Sequence, residues 1–348
     1  MPEIPALKSN LVHRNNTLEL IDEIAREISV NGGRITFERF MEFALYHPRL
    51  GYYTANLRIG RDGDFFTNVS VGTVFGRILA GQFLKFRDDL GNPPDFKVVE
   101  FGGHKGQLRD DVLHEAPDLD YHIVECGSTI PNEINGCVFS NEFLDALPIH
   151  RVKVVDGQWQ ELYVTTRHAD GARFVEVAGP LSSPRIEEYL RDLPTRLMEG
   201  YTTEINLRSW DWMEDIARRL TRGYILTVDY GHERKDYFAP HRRDGTLLCY
   251  HGHTQNANPF ERIGEQDITA HVEFSSLMEH GERSGLETVL FCDQTRFILD
   301  AGHEVIESIA SRNAGQWSPE RNQLHQLMHP SMMGRAFKVM IQCKTSHT

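Results

Sequence analysis

The chain has 348 residues, and its 37 Lys and Arg against 50 Asp and Glu give a net charge of -13. This length can bury a large core and predicts one elaborated domain or two. The excess of acids argues against general affinity for nucleic acid or anionic lipid, although a local basic patch stays possible. No stretch resembles a membrane span or a secretory signal, so we expect a cytoplasmic protein without membrane insertion. The five cysteines are scattered singly, a pattern typical of reduced thiols and not of a zinc or disulfide framework.

The N-terminal part is predicted to be helical. Apolar residues recur with helical spacing over residues 17–30, and Gly32 and Gly33 would end that helix. Thr36 is suited to cap a second helix, FERFMEFALY, which would stop before Pro48. The Gly- and Tyr-rich segment that follows predicts a functional loop leading into a further helix. We assign residues 1–90 to these helices and this loop.

The stretch VVEFGGHKGQL, residues 98–108, predicts a ligand-binding loop, because an apolar strand ends in an acid and breaks into glycines before a helix. Glu125 ends the next apolar strand, where a carboxylate can accept hydrogen bonds from both hydroxyls of a ribose. The dinucleotide fingerprint requires glycines where this chain has His104 and Gln107, which disfavours NAD and FAD. Glu100 suits a ligand that carries an ammonium group, such as the methionyl end of S-adenosylmethionine. A doubly wound domain can also begin in this way without binding anything there.

Residues 91–150 are predicted to form the first half of a Rossmann-like core. The strand in GCVFSNEFLDALP ends in Asn141 and Glu142, and polar residues at the carboxyl end of a strand face the ligand crevice. Little chain separates Glu125 from this strand, so an edge strand and its helices are expected to be missing.

Residues 151–208 alternate strand-like pieces with a polar helix and are predicted to form an inserted cap over the crevice. An amphipathic helix should follow, beginning at Ser209 and ending at Gly223. The next strand, YILTVDYG, brings Asp229 to its carboxyl end, and GLETVLF and AFKVMIQC predict a final antiparallel strand pair. Residues 209–348 would thus complete the core.

The chain resembles the MidA-like S-adenosylmethionine-dependent methyltransferases, bacterial relatives of a mitochondrial complex I assembly methyltransferase. The resemblance rests on segments along nearly the whole chain, among them ITFERFMEFALYHPRLGYY, GRDGDFFTN, FSNEFLDALPIHRV, GYILTVDYG, DGTLLCYHGHTQNANPFERIGEQDITAHVEF and MMGRAFKV. It implies an α/β fold: a Rossmann-like, seven-stranded methyltransferase sheet with an N-terminal helical region and an inserted substrate-covering region. It also implies S-adenosyl-L-methionine as cofactor and, for the mitochondrial relative, arginine on a complex I subunit as acceptor.

The resemblance carries three groups of candidate residues onto this chain. The cofactor-binding candidates are Glu100, Gly102, Gly106, Glu125 and Asp64. The catalytic candidates, which include an acid chosen for its position at a strand end, are Glu142, Asn141, Asp145 and Asp229. The substrate-region candidates in the segment GEQDITAH are Glu265, Gln266, Asp267 and His271.

Each catalytic and substrate-region candidate has a plainer interpretation. Glu142 and Asp145 could lie in the first turn of a helix and favour its dipole. Asp229 could belong to an ordinary turn, and GEQDITAH could be a structural loop whose side chains bond to its own backbone. No metal site is expected, because the histidines lack carboxylates or paired cysteines at ligand spacing.

Two functional hypotheses remain open. The first is a methyltransferase that acts on a protein arginine, for which a respiratory complex I subunit is a candidate acceptor. The second is a degenerate relative that acts as an assembly factor or scaffold, because His104 replaces a family glycine and the segment after Glu125 is short. Neither hypothesis fixes the oligomeric state or excludes a small-molecule acceptor.

Overall fold

The structure is a computed structural model that describes residues 4–55, 68–167, 173–191, 193, 198–312 and 317–345. The α-helices in these ranges are α1 Ile4–Val30, α2 Phe37–Tyr46, α3 Tyr52–Ala55, α4 Asn68–Val71, α5 Val74–Asp89, α6 Gln107–Glu115, α7 Pro184–Arg191, α8 Leu207–Arg219, α9 Arg234–Tyr237, α10 Phe274–Arg283, α11 Gln294–Ala301, α12 His303–Arg312 and α13 Pro319–Met328. The strands are β1 Ile35–Thr36, β2 Lys97–Phe101, β3 Asp120–Val124, β4 Ile134–Asn141, β5 His150–Val155, β6 Gln158–Thr166, β7 Phe174–Gly179, β8 Thr202–Ile205, β9 Leu220–His232, β10 Leu248–His251, β11 Thr254–Asn256, β12 Asp267–Thr269, β13 Val272–Glu273, β14 Glu287–Asp293 and β15 Phe337–Lys344.

The chain divides into two compact units. The first comprises residues 1–59, 146–208 and 238–270, and the second comprises residues 60–145, 209–237 and 271–348. No helix in the described ranges has both the length and the apolar character that a membrane crossing requires. The functional division of the chain into core and cap stays a prediction.

The first unit is built around two small sheets. One has the strand order β1-β6-β5-β8, with β7 paired to the other side of β6, and the second has the order β11-β10-β12. The helix α2 packs on this unit through a buried stripe formed by Phe37, Phe40, Met41, Ala44 and Leu45. Its N-cap is Thr36, whose hydroxyl accepts a hydrogen bond from the backbone N–H of Arg39 at 3.1 Å. The predicted cap and extent of this helix are therefore confirmed.

The second unit contains a sheet in the order β14-β15-β9-β4-β2-β3, with β13 paired to the end of β9. The strands β3, β2, β4 and β9 run parallel to one another, whereas β15 runs antiparallel to both β9 and β14. Its core includes Phe75, Phe83, Phe139 and Phe337, all fully buried. This arrangement confirms the predicted α/β class, the Rossmann-like sheet and the final antiparallel pair.

The edge of this sheet at β3 is shortened, as the sequence predicts. In the described part of the chain, β3 pairs only with β2, and residues 125–133 connect β3 directly to β4. The short connection leaves no room for an additional strand with its flanking helices.

The predicted helix from Ser209 to Gly223 is wrong at both ends. The helix α8 begins at Leu207, so that Ser209 lies buried within it, and β9 begins at Leu220. Gly223 lies inside β9 with a φ of +143°, and a Cβ there would overlap the carbonyl oxygen of Gly136 on the paired strand β4. The glycine therefore permits a close approach of two strands and does not terminate a helix.

Candidate functional site

The loop after β2 adopts a conformation that excludes side chains on its glycines. Gly102 and Gly106 have φ values of +72° and +73°, and Gly106 is the N-cap residue of α6. A Cβ on Gly103 would lie 2.5 Å from Oε2 and 2.8 Å from Cδ of Glu100. His104 also has a positive φ of +47°, so the replaced family glycine keeps a left-handed backbone. The loop thus passes directly over the Glu100 carboxylate.

Glu100 is a buried acid near the end of β2, beneath this loop. Its side chain is 3% exposed, and its Oε2 atom has no hydrogen-bond partner among the described residues. Burial raises its pKa to about 7, and the charge of Glu125 acts in the same direction, whereas Tyr121 and Arg109 oppose the shift. A buried acceptor of this kind is stabilised by a ligand that brings a cationic N–H donor. The geometry therefore fits the ammonium group of S-adenosylmethionine.

Glu125 joins the loop after β3 to the loop after β2. Its Oε1 accepts a hydrogen bond from the backbone N–H of His104 at 2.5 Å, and its own backbone N–H donates to Ser128 Oγ at 3.1 Å. The side chain of Glu125 is exposed to solvent. The structure therefore brings Glu100 and Glu125 together at one end of the parallel strands, where α/β sheets bind their ligands.

Glu142 follows β4 in a fixed position. Its φ of +52° is left-handed, and its backbone N–H donates to the carbonyl of Val228 at 3.0 Å. Its Oε1 accepts hydrogen bonds from the backbone N–H of Asn68 at 2.9 Å and from Asn141 Nδ2 at 3.0 Å. Residues 142–149 contain no helix, so the interpretation of Glu142 and Asp145 as helix-dipole residues is wrong.

Asp229 holds the segment that follows Glu142. Its Oδ2 accepts from the backbone N–H groups of Phe143, Leu144 and Asp145 at 3.2, 2.9 and 3.4 Å. Its Oδ1 accepts from the backbone N–H of Tyr230 at 2.8 Å, and burial raises its pKa to about 7 against these four bonds. The geometry makes Asp229 a structural acceptor for backbone groups. Direct contact of Asp145 or Asp229 with the substrate stays a prediction.

The residues of GEQDITAH are divided between the two units. In the first unit, Gln266 Nε2 donates to the carbonyl of Asn258 at 2.9 Å, and Asp267 Oδ1 accepts from the Tyr53 hydroxyl at 2.8 Å. These bonds match the structural-loop interpretation. Glu265 accepts from the hydroxyl of Thr17 in the same unit.

His271 belongs to the second unit, where its Nδ1 lies 3.2 Å from Nε2 of His232. The substrate-region role of Glu265, Gln266, Asp267 and His271 stays a prediction. Asp64 and its G-D-F loop lie outside the described residues. Sequence reasoning did not select Asn68, the last residue of the segment GRDGDFFTN, as a site residue, although Asn68 contacts both Asn141 and Glu142.

The comparisons agree with this architecture. A family model described as "Putative S-adenosyl-L-methionine-dependent methyltransferase" matches residues 128–292. A Burkholderia thailandensis protein solved with bound S-adenosyl-homocysteine has a TM-score of 0.87 and 29% identity, over 95% of this chain and 93% of that chain. This protein is an S-adenosylmethionine-dependent methyltransferase that is similar to the MidA-like family. Its cofactor is S-adenosylmethionine, because the family and the ligand-bound neighbour share this chemistry and the Glu100 loop fits it.

Further relatives of this MidA-like methyltransferase carry an activity in their names. The mitochondrial protein arginine methyltransferase NDUFAF7 of Homo sapiens is 26% identical over 88% of this chain and 79% of its own length. The NDUFAF7 homolog of Drosophila melanogaster, also named a protein arginine methyltransferase, is 26% identical over 73% of this chain and 68% of its own length.

Proposed function

We propose that this protein transfers the methyl group of S-adenosylmethionine to an arginine side chain of a protein. The observation that carries the proposal is the Glu142 carboxylate, which Asn68 and Asn141 hold at the end of β4. β4 is the direct neighbour of β2, with Ser140 paired to Phe101, so Glu142 emerges beside the end of β2 that carries Glu100. The mitochondrial relatives named as protein arginine methyltransferases support the choice of acceptor.

Two acids would hold the cofactor. Glu100, buried and lacking a partner for Oε2, would accept the methionyl ammonium group. Glu125, fixed to the loop by His104, would accept the ribose hydroxyls. Gly102 and Gly106 would let the backbone approach the ligand closely.

Glu142 would hold the acceptor. A carboxylate binds a guanidinium through paired hydrogen bonds, which orient the planar group and localise the lone pair on the nitrogen to be methylated. The bound cofactor supplies an electrophilic methyl group on a sulfonium. In the transfer a nitrogen–carbon bond would form, the carbon–sulfur bond would break with its electrons remaining on sulfur, and the nitrogen would release its proton to solvent. Glu142 also stabilises the positive charge that the arginine carries before and after the transfer.

The proposal extends to the surroundings of the reaction. The five cysteines are free, as expected in a reducing compartment, and we place the protein in the cytoplasm. A respiratory complex I subunit is the first acceptor to test. The scaffold hypothesis makes the opposite prediction about the cofactor, so one experiment distinguishes the two.

The test compares cofactor binding with methyl transfer in matched variants. Binding of S-adenosylhomocysteine is measured by calorimetry, and transfer of labelled methyl groups into cell proteins is followed by mass spectrometry of the modified residue. Glu142→Gln should bind the ligand as the wild type does but transfer methyl groups on the order of 100-fold more slowly, because it loses the charge that holds the guanidinium. Glu125→Ala should lose binding. The exposed acid Glu133 provides the control, and Glu133→Gln should retain both properties.

Three results would contradict the proposal. Unchanged transfer by Glu142→Gln would remove this residue from the acceptor site. Methylation of residues other than arginine would overturn the acceptor class. Absence of binding at millimolar S-adenosylhomocysteine would favour the scaffold hypothesis.

A further inference from the structure

Asn68 is a buried polar residue next to the proposed acceptor site. Its side chain is 0% exposed, and it begins the short helix α4. Its backbone N–H donates to Glu142 Oε1 at 2.9 Å, and its Nδ2 donates to Asn141 Oδ1 at 3.0 Å. The backbone N–H and the side-chain Nδ2 of Asn68 are thus both bonded to the Asn141–Glu142 pair at the end of β4.

The carboxylate fixes the direction of this network. An ionised Glu142 can only accept hydrogen bonds, so the amide group of Asn141 must present Nδ2 to it. Asn141 then presents Oδ1 to Asn68, so Asn68 must donate to it through Nδ2. The remaining atom, Asn68 Oδ1, is consequently an acceptor, and this orientation follows from the network without observing hydrogens.

Asn68 Oδ1 is buried and has no hydrogen-bond partner among the described residues. A buried acceptor without a donor is unfavourable, and most such atoms in native proteins are satisfied by a protein group, water or a ligand. The atom belongs to a residue that touches both members of the Asn141–Glu142 pair. It therefore requires an N–H or O–H donor close to the place where the acceptor substrate is expected.

We propose that Asn68 determines the specificity of the acceptor site by accepting an N–H of the substrate guanidinium through Oδ1. A guanidinium presents five N–H donors in one plane and can meet the Glu142 carboxylate and a second acceptor simultaneously, whereas an ammonium group presents a compact point charge. This inference rests on the proposed function insofar as it takes arginine as the acceptor. It adds a residue of this chain that contacts the substrate and helps to select its chemical class.

Two substitutions separate the contributions of Asn68. Asn68→Ala removes Oδ1 and Nδ2 but keeps the backbone N–H that holds Glu142. Asn68→Asp keeps the shape but replaces the Nδ2 donor to Asn141 Oδ1 by an oxygen. The control is Asn132→Ala, at an exposed asparagine whose Oδ1 accepts one bond from Arg219 at 3.3 Å.

The experiment titrates the full-length protein, saturated with S-adenosylhomocysteine, with blocked arginine (N-acetyl-arginine amide) and, separately, with blocked lysine. The wild type should bind blocked arginine more tightly than blocked lysine. Asn68→Ala should raise the Kd for blocked arginine about tenfold, because the substrate loses an acceptor for one of its N–H groups. The Kd for S-adenosylhomocysteine should change less than about twofold, because the cofactor does not contact this residue. Asn68→Asp should also weaken the binding of blocked arginine, because Asn141 Oδ1 loses its donor and the network that holds Glu142 is disturbed.

Several outcomes would overturn the inference. Equal binding of blocked arginine to the wild type and to Asn68→Ala would exclude the contact. So would the absence of binding to the wild type at 50 mM blocked arginine, about the weakest affinity that such a titration resolves. Loss of S-adenosylhomocysteine binding in Asn68→Ala would assign the residue to the cofactor. Tighter binding by Asn68→Asp would contradict the deduced direction of the network.

Failure of the proposed function has a different signature. If blocked arginine binds in a manner that depends on Asn68 but no protein arginine is methylated, the guanidinium site stands and the transferase activity does not.

Discussion

The buried Glu100 carboxyl predicts that cofactor binding depends on pH near neutrality. Its pKa in the folded protein is about 7, against an ordinary value of 4.5, chiefly because burial disfavours the ionised form. A cationic ammonium group in contact with Glu100 favours the ionised form. The protein must therefore release a proton when it binds the ligand below this pKa.

The size of the change in ligand affinity follows from the pKa of Glu100. With a pKa of about 7, roughly one tenth of Glu100 is ionised at pH 6 and roughly nine tenths at pH 8, so the association constant should rise about tenfold between these values. A tenfold change corresponds to about 1.4 kcal/mol of binding free energy. In the unliganded protein the sign for folding is opposite: a raised carboxyl pKa means that stability declines as pH rises from about 4.5 to about 7.

The assay is calorimetric titration with S-adenosylhomocysteine at pH 6, 7 and 8, in pairs of buffers with different ionisation enthalpies. The buffer dependence counts released protons, which should approach one per site at pH 6 and nearly vanish at pH 8. Glu100→Gln should bind weakly at every pH without this release, and the control Glu133→Gln should keep the tenfold rise. Equal wild-type affinity at pH 6 and pH 8 would refute the assignment of the ammonium group to Glu100.

Two further predictions concern the residues that shape the site. Gly103→Ala should weaken S-adenosylhomocysteine binding by at least about tenfold, because the new Cβ would lie 2.5 Å from Glu100 Oε2 and displace the carboxylate. The control is Gly81→Ala, at a helical position with nothing within 4 Å, which should bind the ligand as the wild type does. Calorimetry would measure the Kd for S-adenosylhomocysteine in both variants. Normal binding by Gly103→Ala would show that the loop can shift to accommodate the new Cβ. Asp229→Asn should lower the free energy of unfolding by about 1–3 kcal/mol, because an amide nitrogen at either oxygen position would face backbone N–H donors. Urea unfolding would measure this loss, and an unchanged midpoint would mean that the bonds to Asp229 contribute little.

Local patterns predicted most of the second unit. The apolar run that ends in Glu100 and the glycines after it were sufficient to predict β2, the loop and α6. The short segment after Glu125 was sufficient to predict the missing strand beside β3. These features depend on neighbouring residues, so they can be recognised in a single sequence.

The same local reasoning failed for the end of α8. Apolar spacing continues to Leu220, and Gly223 resembles a helix terminator when only its neighbours are considered. Its actual requirement is the approach of Gly136 on β4, far away in the sequence. A glycine selected for contact between strands has the same sequence signature as one selected for a turn.

The sequence by itself determined the class of the sheet, the position of the cofactor loop and the candidate acids at the strand ends. Only the tertiary structure decided which groups each acid contacts. Asn68 reaches Glu142 across 74 positions of chain, and Asp229 reaches the backbone of Leu144 across 85. Hydrogen bonds over such separations leave no periodic trace in a sequence, because they depend on where the folded backbone places a donor opposite an acceptor. That placement distinguishes Glu142, held for the proposed acceptor site, from Asp229, whose oxygens bind backbone groups.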